Sequence, residues 1–343
     1  MSDLSIRRKA WIELYKDNGL VTDWYIRSIG DVLAALGFDV EYVDGCAHVG
    51  DPKRDLYFVS ECKSAAILVI RGCKHYIYWA QGIAPEEDYL RFNNKFRRMA
   101  FNFCEKLALR RADRVFMVSD AMLRHFETKY HLNLANKTFV APCCNEFLHS
   151  DSFLEPGKYD HPVFVYAGGL SKYQCIDEML ELFSKIQGVL PAAELLFYTW
   201  DVDHAKELIS AHGLKNVSVD CKKQGELPAA LARAKYGFVI RNNTAVNRVA
   251  TPTKISTYMS NGVIPVVSSC VEGFADASRV LEHVICCKDS DMMAAIVKME
   301  DCAISAECVL REYQSFFDEY FDLGKKRDAI REFLAPMAGD MEC

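Results

Sequence analysis

Short apolar runs and stretches of helical period alternate along this chain, most regularly beyond residue 160. Residues 161–171, HPVFVYAGGLS, form a β-branched and aromatic run that stops at two glycines, the pattern of a strand passing into a loop. Ile176, Met179, Leu180, Phe183 and Ile186 then recur at steps of three and four. Asp177, Glu178 and Glu181 share the early turns, which predicts a helix with acids where its dipole favours them. The same reading predicts strands at 194–200, 216–220, 236–241 and 264–268. Helices are expected at 204–212, from Pro228, and from Thr251–Pro252 to Asn261–Gly262, with Thr251 as N-cap and Pro252 as first helical residue. In the first half the pattern predicts helix at 31–37 and 122–130 and strand at 39–43, 55–60, 76–81 and 112–119. Periodicity alone does not assign the buried element at 65–72.

Alternation of this kind predicts an α/β protein built of doubly wound, Rossmann-like domains, each a parallel sheet covered by helices on both faces. Residues 141–160 gather Pro142, Asn145, Ser150, Asp151, Ser152, Pro156 and Gly157, the composition of a linker. The expected division is an N-terminal domain at 1–150, a C-terminal domain at 151–305, and helices at 306–343 packing back toward the first domain.

Composition fits that organisation. A chain of 343 residues exceeds what one core ordinarily serves, and half of it is hydrophobic against 26% charged, which excludes disordered and low-complexity classes. The longest apolar stretches, 65–70 and 263–267, are far shorter than the roughly 20 residues that cross a bilayer. The opening MSDLSIRRKAWIELYK has no apolar segment followed by a small-residue cleavage site, so the expected location is the cytoplasm. The 14 cysteines contain no C-x-x-C spacing, which predicts free thiols and no metal site. A net charge of −6 disfavours nucleic acid as a partner.

One segment breaks the acidic trend. Between Arg91 and Arg114 there are eight basic residues against Glu105 and Asp113. Phe92, Phe96, Met99, Phe103 and Leu107 recur through it at helical spacing, predicting one amphipathic helix with Arg91, Lys95, Arg98 and Lys106 along an edge of the apolar stripe. That edge is either a solvated face or a surface for an anionic membrane or substrate.

Two doubly wound domains would enclose a cleft between the carboxyl ends of their sheets, where ligands of such sheets bind. The candidates on the second domain are the loop Gly168–Gly169–Leu170–Ser171–Lys172 and the helix start Thr251–Pro252–Thr253–Lys254. Glycines admit a phosphate close to the backbone, lysine neutralises it, and a helix amino end offers free N–H groups. A diphosphate suits both.

At these residues the chain resembles a known family. YAGGLSKYQCIDEMLELF, GELPAALARAKYGFVIR and above all NRVATPTKISTYMSNGVIPVV are similar to the donor domain of the family-four retaining glycosyltransferases, which have the two-Rossmann GT-B fold. QGIAPEE and EKLALRRADRVFMVS are similar to units of the same family's acceptor side. The resemblance covers residues 55–270 and is strongest from 163 to 267. It implies transfer of a hexosyl group from a nucleotide diphosphate sugar to an acceptor hydroxyl with retention, in surface polysaccharide or glycolipid synthesis, with no cofactor beyond the donor. Lys172 and Arg248 would then neutralise the leaving diphosphate. Gly168, Gly169, Gly225, Arg241, Asn247, Thr253, Lys254 and Thr257 would line the donor site, and Gln81, Gly82 and Glu86 the acceptor side. A lipid-linked glycan is an implied acceptor, at the inner face of a membrane.

The chain departs from the family pattern in two places. Thr257 stands where the family has a glutamate for the ribose hydroxyls, and the strand that would lead to a catalytic histidine ends in Gln81, with His75 at its far end. A sugar-nucleotide 2-epimerase-like isomerase and a catalytically silent nucleotide-sugar binder are the alternative readings.

Overall fold

The structure is a computed structural model that describes residues 8–14, 20–144 and 146–339. It divides into two units, the first made of residues up to Asn145 together with those from Asp322 onward, the second of Glu146–Phe321. Residues 306–321, expected among the returning helices, belong to the second unit.

In the first unit β1 (Lys9–Glu13), β2 (Asp39–Val43), β3 (Leu56–Val59), β4 (His75–Ala80), β5 (Arg114–Met117) and β6 (Thr138–Val140) form one parallel sheet in the order β2-β1-β3-β4-β5-β6. Helices α1 (Leu20–Ala35), α2 (Cys62–Ile70), α3 (Ala84–Phe92), α4 (Lys95–Arg111) and α5 (Asp120–Tyr130) connect the strands. Both faces of a parallel sheet are covered, so β3 is buried at all four positions and reads as an unbroken apolar run. The unassigned element at 65–72 is helix α2, apolar because it packs against both the sheet and α4.

The second unit has α6 (Ser150–Phe153), then β7 (Val163–Ala167), α7 (Ile176–Val189), β8 (Glu194–Tyr198), α8 (Val202–Ala211), β9 (Val217–Asp220), α9 (Leu227–Leu231) and β10 (Tyr236–Val239). It continues with α10 (Ala245–Val249), α11 (Thr253–Ser260), β11 (Ile264–Ser268), α12 (Glu272–Ala277), β12 (Ile285–Cys287), α13 (Asp289–Glu300) and α14 (Ala306–Phe316). Its sheet is parallel throughout in the order β12-β11-β10-β7-β8-β9, the doubly wound order of a dinucleotide-binding half-sheet pair. Both units are Rossmann-like, as the alternating pattern predicts.

The second core is aromatic at its centre. Phe164 stacks on Tyr236 and Phe238 with ring centroids 4.9 and 5.1 Å apart. Gly237 in β10 is there because Tyr258 of α11 lies on it: a Cβ would stand 2.4 Å from the Tyr258 ring. The Tyr258 hydroxyl then accepts from the Ala167 amide at 2.9 Å, fixing α11 to the carboxyl end of β7. In the first unit α15 (Arg327–Leu334) and α16 (Pro336–Gly339) return to the sheet, where Leu323, Ile330, Leu334 and Met337 are buried with Ile26, Phe58 and Phe116.

Three strands escape the sequence reading, β1, β6 and β12. β1 is KAWIE, charged at both ends, β6 has three residues, and β12 is ICC, so none carries a long β-branched run. The single helix expected over 91–114 is two. Asn93 takes the left-handed conformation (φ 49°) that closes α3, and Asn94 caps α4, its Oδ1 accepting from the amides of Phe96 and Arg97 at 3.0 and 3.1 Å. Thr251 is not the cap of α11: the helix begins at Thr253 with Pro252 at the N-cap position.

Candidate functional site

In a doubly wound sheet the loops at the carboxyl ends of the strands diverge where the order reverses, here between β7 and β10. β7 ends in Ala167 and passes into Gly168, whose φ of +152° is unfavourable for any residue with a side chain. The space a Cβ would need is taken by Lys254, whose Cε would lie 2.4 Å away. β10 leads through Ile240 into Arg241, which is buried, its amide donating to Ser268 Oγ at 2.9 Å.

Two cations therefore meet under one loop. Arg241 Nη2 donates to Gln174 Oε1 at 2.8 Å, and Lys254 Nζ donates to the same oxygen and to Tyr166 Oη at 3.3 Å. Arg241 Nη1 also donates to the carbonyl of Ile240 at 2.7 Å, and the Tyr166 hydroxyl donates to the carbonyl of Gly169 at 2.6 Å. Among the described residues neither cation has a carboxylate partner. Lys254 is half-buried as a residue, with its ammonium enclosed; burial first, and the Arg241 charge second, hold its pKa well below the ordinary lysine value. Burial likewise lowers that of Arg241. Two enclosed like charges sharing one neutral amide oxygen leave positive potential unmatched. The amino end of α11, with no side-chain cap, adds its free N–H groups nearby.

The other expected residues of this unit are more scattered. Lys172 is exposed on the single 3-10 turn 172–174 that also supplies Gln174. Arg248 is about half exposed, donating to Asn243 Oδ1 at 2.9 Å and facing a Glu272 carboxylate at 3.9 Å. Thr253 opens α11, whereas Thr257 and Ser256 are buried within it. Asn247 is buried too, its amide nitrogen donating to the Asn242 carbonyl at 2.8 Å. Gly225 is exposed, and nothing lies within 4 Å of where its Cβ would be, so nothing in the structure explains a glycine there.

In the first unit Gln81 and Gly82 follow β4. Gly82 has no room for a side chain because the Glu87 carboxylate folds over it and accepts from the Ile83 amide at 3.1 Å. Glu86 does not stand free for an acceptor: Lys129 and Arg98 lie 2.9 and 3.6 Å from its carboxylate. Lys129 also reaches Glu105 at 3.1 Å, and the Tyr130 hydroxyl donates to Glu105 at 2.6 Å. Glu105 is fully buried with one oxygen unpartnered, and that burial pushes its pKa up to about 7. Arg98 is thus tied into an ion-pair chain across α3, α4 and α5, while Arg91, Lys95 and Lys106 are exposed.

The apolar stripe of α4 points outward. Phe96, Met99 and Phe103 are 80%, 66% and 69% exposed, and the buried side of the helix is instead Glu105, Ala108 and Leu109. Sequence reasoning also missed Gln174. Tyr198 is buried, but Trp200 is 75% exposed. Among the described residues every cysteine is free, no three His, Cys, Asp or Glu gather as a metal site, and no helix is long and apolar enough to cross a membrane.

No protein-family model and no curated protein matches the sequence. Among solved structures the chain is similar to sucrose-phosphate synthase from Thermosynechococcus elongatus, with a TM-score of 0.70 at 14% identity over 98% of this chain and 99% of that one. It is similar to Anabaena HepE in complex with UDP and glucose, with a TM-score of 0.65 at 14% identity over 98% of this chain and all of that one. It is also similar to a mutant of S. aureus TarM in complex with fondaparinux, alpha-GlcNAc-glycerol and UDP, with a TM-score of 0.57 at 10% identity over 83% of this chain. The match spans only 55% of the TarM chain. These likenesses show the fold, the two-Rossmann GT-B arrangement.

Proposed function

We propose that the chain is a retaining glycosyltransferase that moves a hexosyl group from a nucleoside diphosphate sugar to an acceptor hydroxyl. The observation that carries this reading is the enclosed pair Arg241 and Lys254, converging on Gln174 with no carboxylate among the described residues to balance them. A diphosphate supplies the missing negative charge and takes charge-assisted hydrogen bonds from both. HepE and TarM, two of the structural neighbours, are solved with UDP bound, which supports the same ligand class here.

The chemistry then needs little beyond positioning and charge. The bond from the anomeric carbon to the diphosphate oxygen breaks, the acceptor oxygen bonds to that carbon on the same face, and the acceptor proton passes to the departing diphosphate. Arg241 and Lys254 hold the charge as it develops, and because both are enclosed away from water such stabilisation is strong there. Lys172, exposed on the turn that carries Gln174, adds charge beside them, whereas Arg248 must turn from Glu272 to do so. The donor is a substrate, and no further cofactor is invoked. Free nucleoside diphosphate released only when acceptor is supplied is the expected result. Interconversion of the donor sugar without acceptor would instead favour the isomerase, and binding of the donor with no turnover the silent binder.

The outer face of α4 suits an acceptor carried on a lipid. Exposed Phe96, Met99 and Phe103 lie on the same helix as exposed Lys95 and Lys106, with Arg91 just before it, and each basic side chain near an anionic surface contributes on the order of 1 kcal/mol. On this reading the enzyme works at an anionic membrane surface, in glycolipid or surface polysaccharide synthesis, and the exposed apolar and basic side chains of α4 support it. Co-sedimentation with anionic but not neutral vesicles, weakening with salt, is the expected outcome; equal behaviour with both would leave a solvated helix.

A further inference from the structure

β8 ends at Tyr198 and passes through buried Thr199 into Trp200 and Asp201. Trp200 turns out of the core, and its indole Nε1 lies 3.5 Å from where a Cβ on Gly169 would stand. Gly168, next to it, lies closer under Lys254, whose Cε would stand 2.4 Å from a Cβ there, whereas the Trp200 contact at Gly169 is an ordinary van der Waals one. Adjacent strands β10, β7 and β8 thus bring Arg241, the two glycines and Trp200 in sequence along one edge of the sheet. Two strand spacings, on the order of 10 Å, separate the first from the last. That is the span from a diphosphate through a ribose to its base.

Asp201 stands at the N-cap of α8, yet its carboxylate makes no capping hydrogen bond. Its amide donates to Thr199 Oγ1 at 3.3 Å, and its carbonyl accepts from Ala205. In doubly wound nucleotide-binding sheets an acid that follows the glycine loop accepts from the ribose hydroxyls. The residues of α10 and α11 nearest that task are occupied, for Asn247 holds the Asn242 carbonyl and Ser256 the Thr253 carbonyl, and Thr257 is buried.

We infer that Trp200 and Asp201 form the nucleoside half of the donor site, the indole stacking on the base and the carboxylate accepting from the ribose diol. The inference rests on the donor reading above and adds what that reading leaves open. Stacking is tolerant of base identity, so Trp200 supplies affinity, while Asp201 selects ribose over deoxyribose.

Trp200 is the one tryptophan of the second unit, the other three lying in the first, so the part of an emission change that Trp200→Phe abolishes reports on this site. The test titrates the full chain with UDP, GDP, ADP and CDP, with the 2′-deoxy form of the tightest of them, and with inorganic diphosphate. The tightest nucleotide is expected to quench the emission and to bind Trp200→Ala at least tenfold more weakly by calorimetry, with diphosphate affinity unchanged. Trp200→Phe should keep most of that affinity while losing the quench. Asp201→Asn should bind the ribo and deoxy forms alike, where the unaltered protein prefers the ribo form. If Trp200→Ala and Asp201→Asn, folded by circular dichroism, bind the nucleotide as the unaltered protein does, the inference is overturned and the donor reading stands. If the unaltered protein binds neither diphosphate nor any nucleotide, the donor reading fails and takes the inference with it.

Discussion

Replacing Lys254 by methionine keeps the length of the side chain and removes its charge and donors. No acceptor is orphaned, because Gln174 Oε1 keeps Arg241 Nη2 at 2.8 Å and the Tyr166 hydroxyl still donates to Gly169. In the ligand-free protein the substitution removes a desolvated ammonium and its repulsion from Arg241, and replacing a buried, poorly balanced charge by an apolar isostere stabilises by about 1–4 kcal/mol. For a unit of this size each kcal/mol raises Tm by roughly 2–4 °C, so the variant should melt higher without ligand. With ligand the sign reverses. A lost charge-assisted hydrogen bond costs about 1.5–3 kcal/mol, so a nucleoside diphosphate should bind roughly 10- to 150-fold more weakly by calorimetry. The pH dependence follows from the lowered pKa of Lys254. Between that pKa and the ordinary lysine value the unfolded chain holds more protons than the folded one, so the empty protein gains stability from this group as pH rises through that window. Anion binding needs the charged form, so affinity should fall over the same rise. Lys254→Met should show neither slope. A variant that melts lower without ligand and binds nucleotide as tightly as before would refute the reasoning.

Glu105→Gln should flatten another pH dependence. With its folded pKa near 7 against an ordinary value of 4.5, the carboxyl contributes stability that is present at low pH and lost as pH rises from about 4.5 to 7, on the order of 3 kcal/mol, readable in chemical denaturation at pH 5 and pH 8. Gly168→Ala, forced to a φ of +152° with its Cβ against Lys254, should weaken nucleotide binding by about tenfold or more while the circular dichroism spectrum is kept. The pair Phe96→Ser and Phe103→Ser should leave Tm within about 1 °C, since both rings are exposed, and should reduce adsorption to anionic vesicles. A large fall in Tm would mean that those rings are packed in solution.

The parts of the fold written in period and punctuation were open to reading. β7 with its paired glycines, α7 with its stripe of Ile176, Met179, Leu180, Phe183 and Ile186, and β11 all stand near where the pattern puts them. What was closed depends on contacts between distant segments. Periodicity finds the apolar stripe of α4 but does not say whether anything covers it, and here the core takes the side of Glu105 and Ala108. The family resemblance puts Lys172 and Arg248 forward as the charges on the leaving diphosphate and Arg241 and Lys254 as residues lining the donor site. Only the folded chain separates the enclosed pair from the exposed one, because enclosure depends on β10 ending beneath the turn that follows β7. Gln174 gave no signal at all: it serves as a neutral acceptor, and a glutamine on a surface turn is unremarkable until two cations point at it.

The return of the chain to its first unit bears on how the protein is made. When residue 145 has left the ribosome, the first sheet is complete in strands, yet its core still lacks Leu323, Ile330, Leu334 and Met337, and the Phe333 ring that meets Phe116 and Phe139 at 5.6 Å. Those side chains arrive only after the 176 residues of the second unit. The part translated first is therefore the last to close. Through the synthesis of the whole second unit the nascent chain carries an open apolar face around α1, a natural target for chaperones and proteases. A chain cut after residue 321 should have a folded second unit joined to an amino-terminal unit that is still sensitive to digestion.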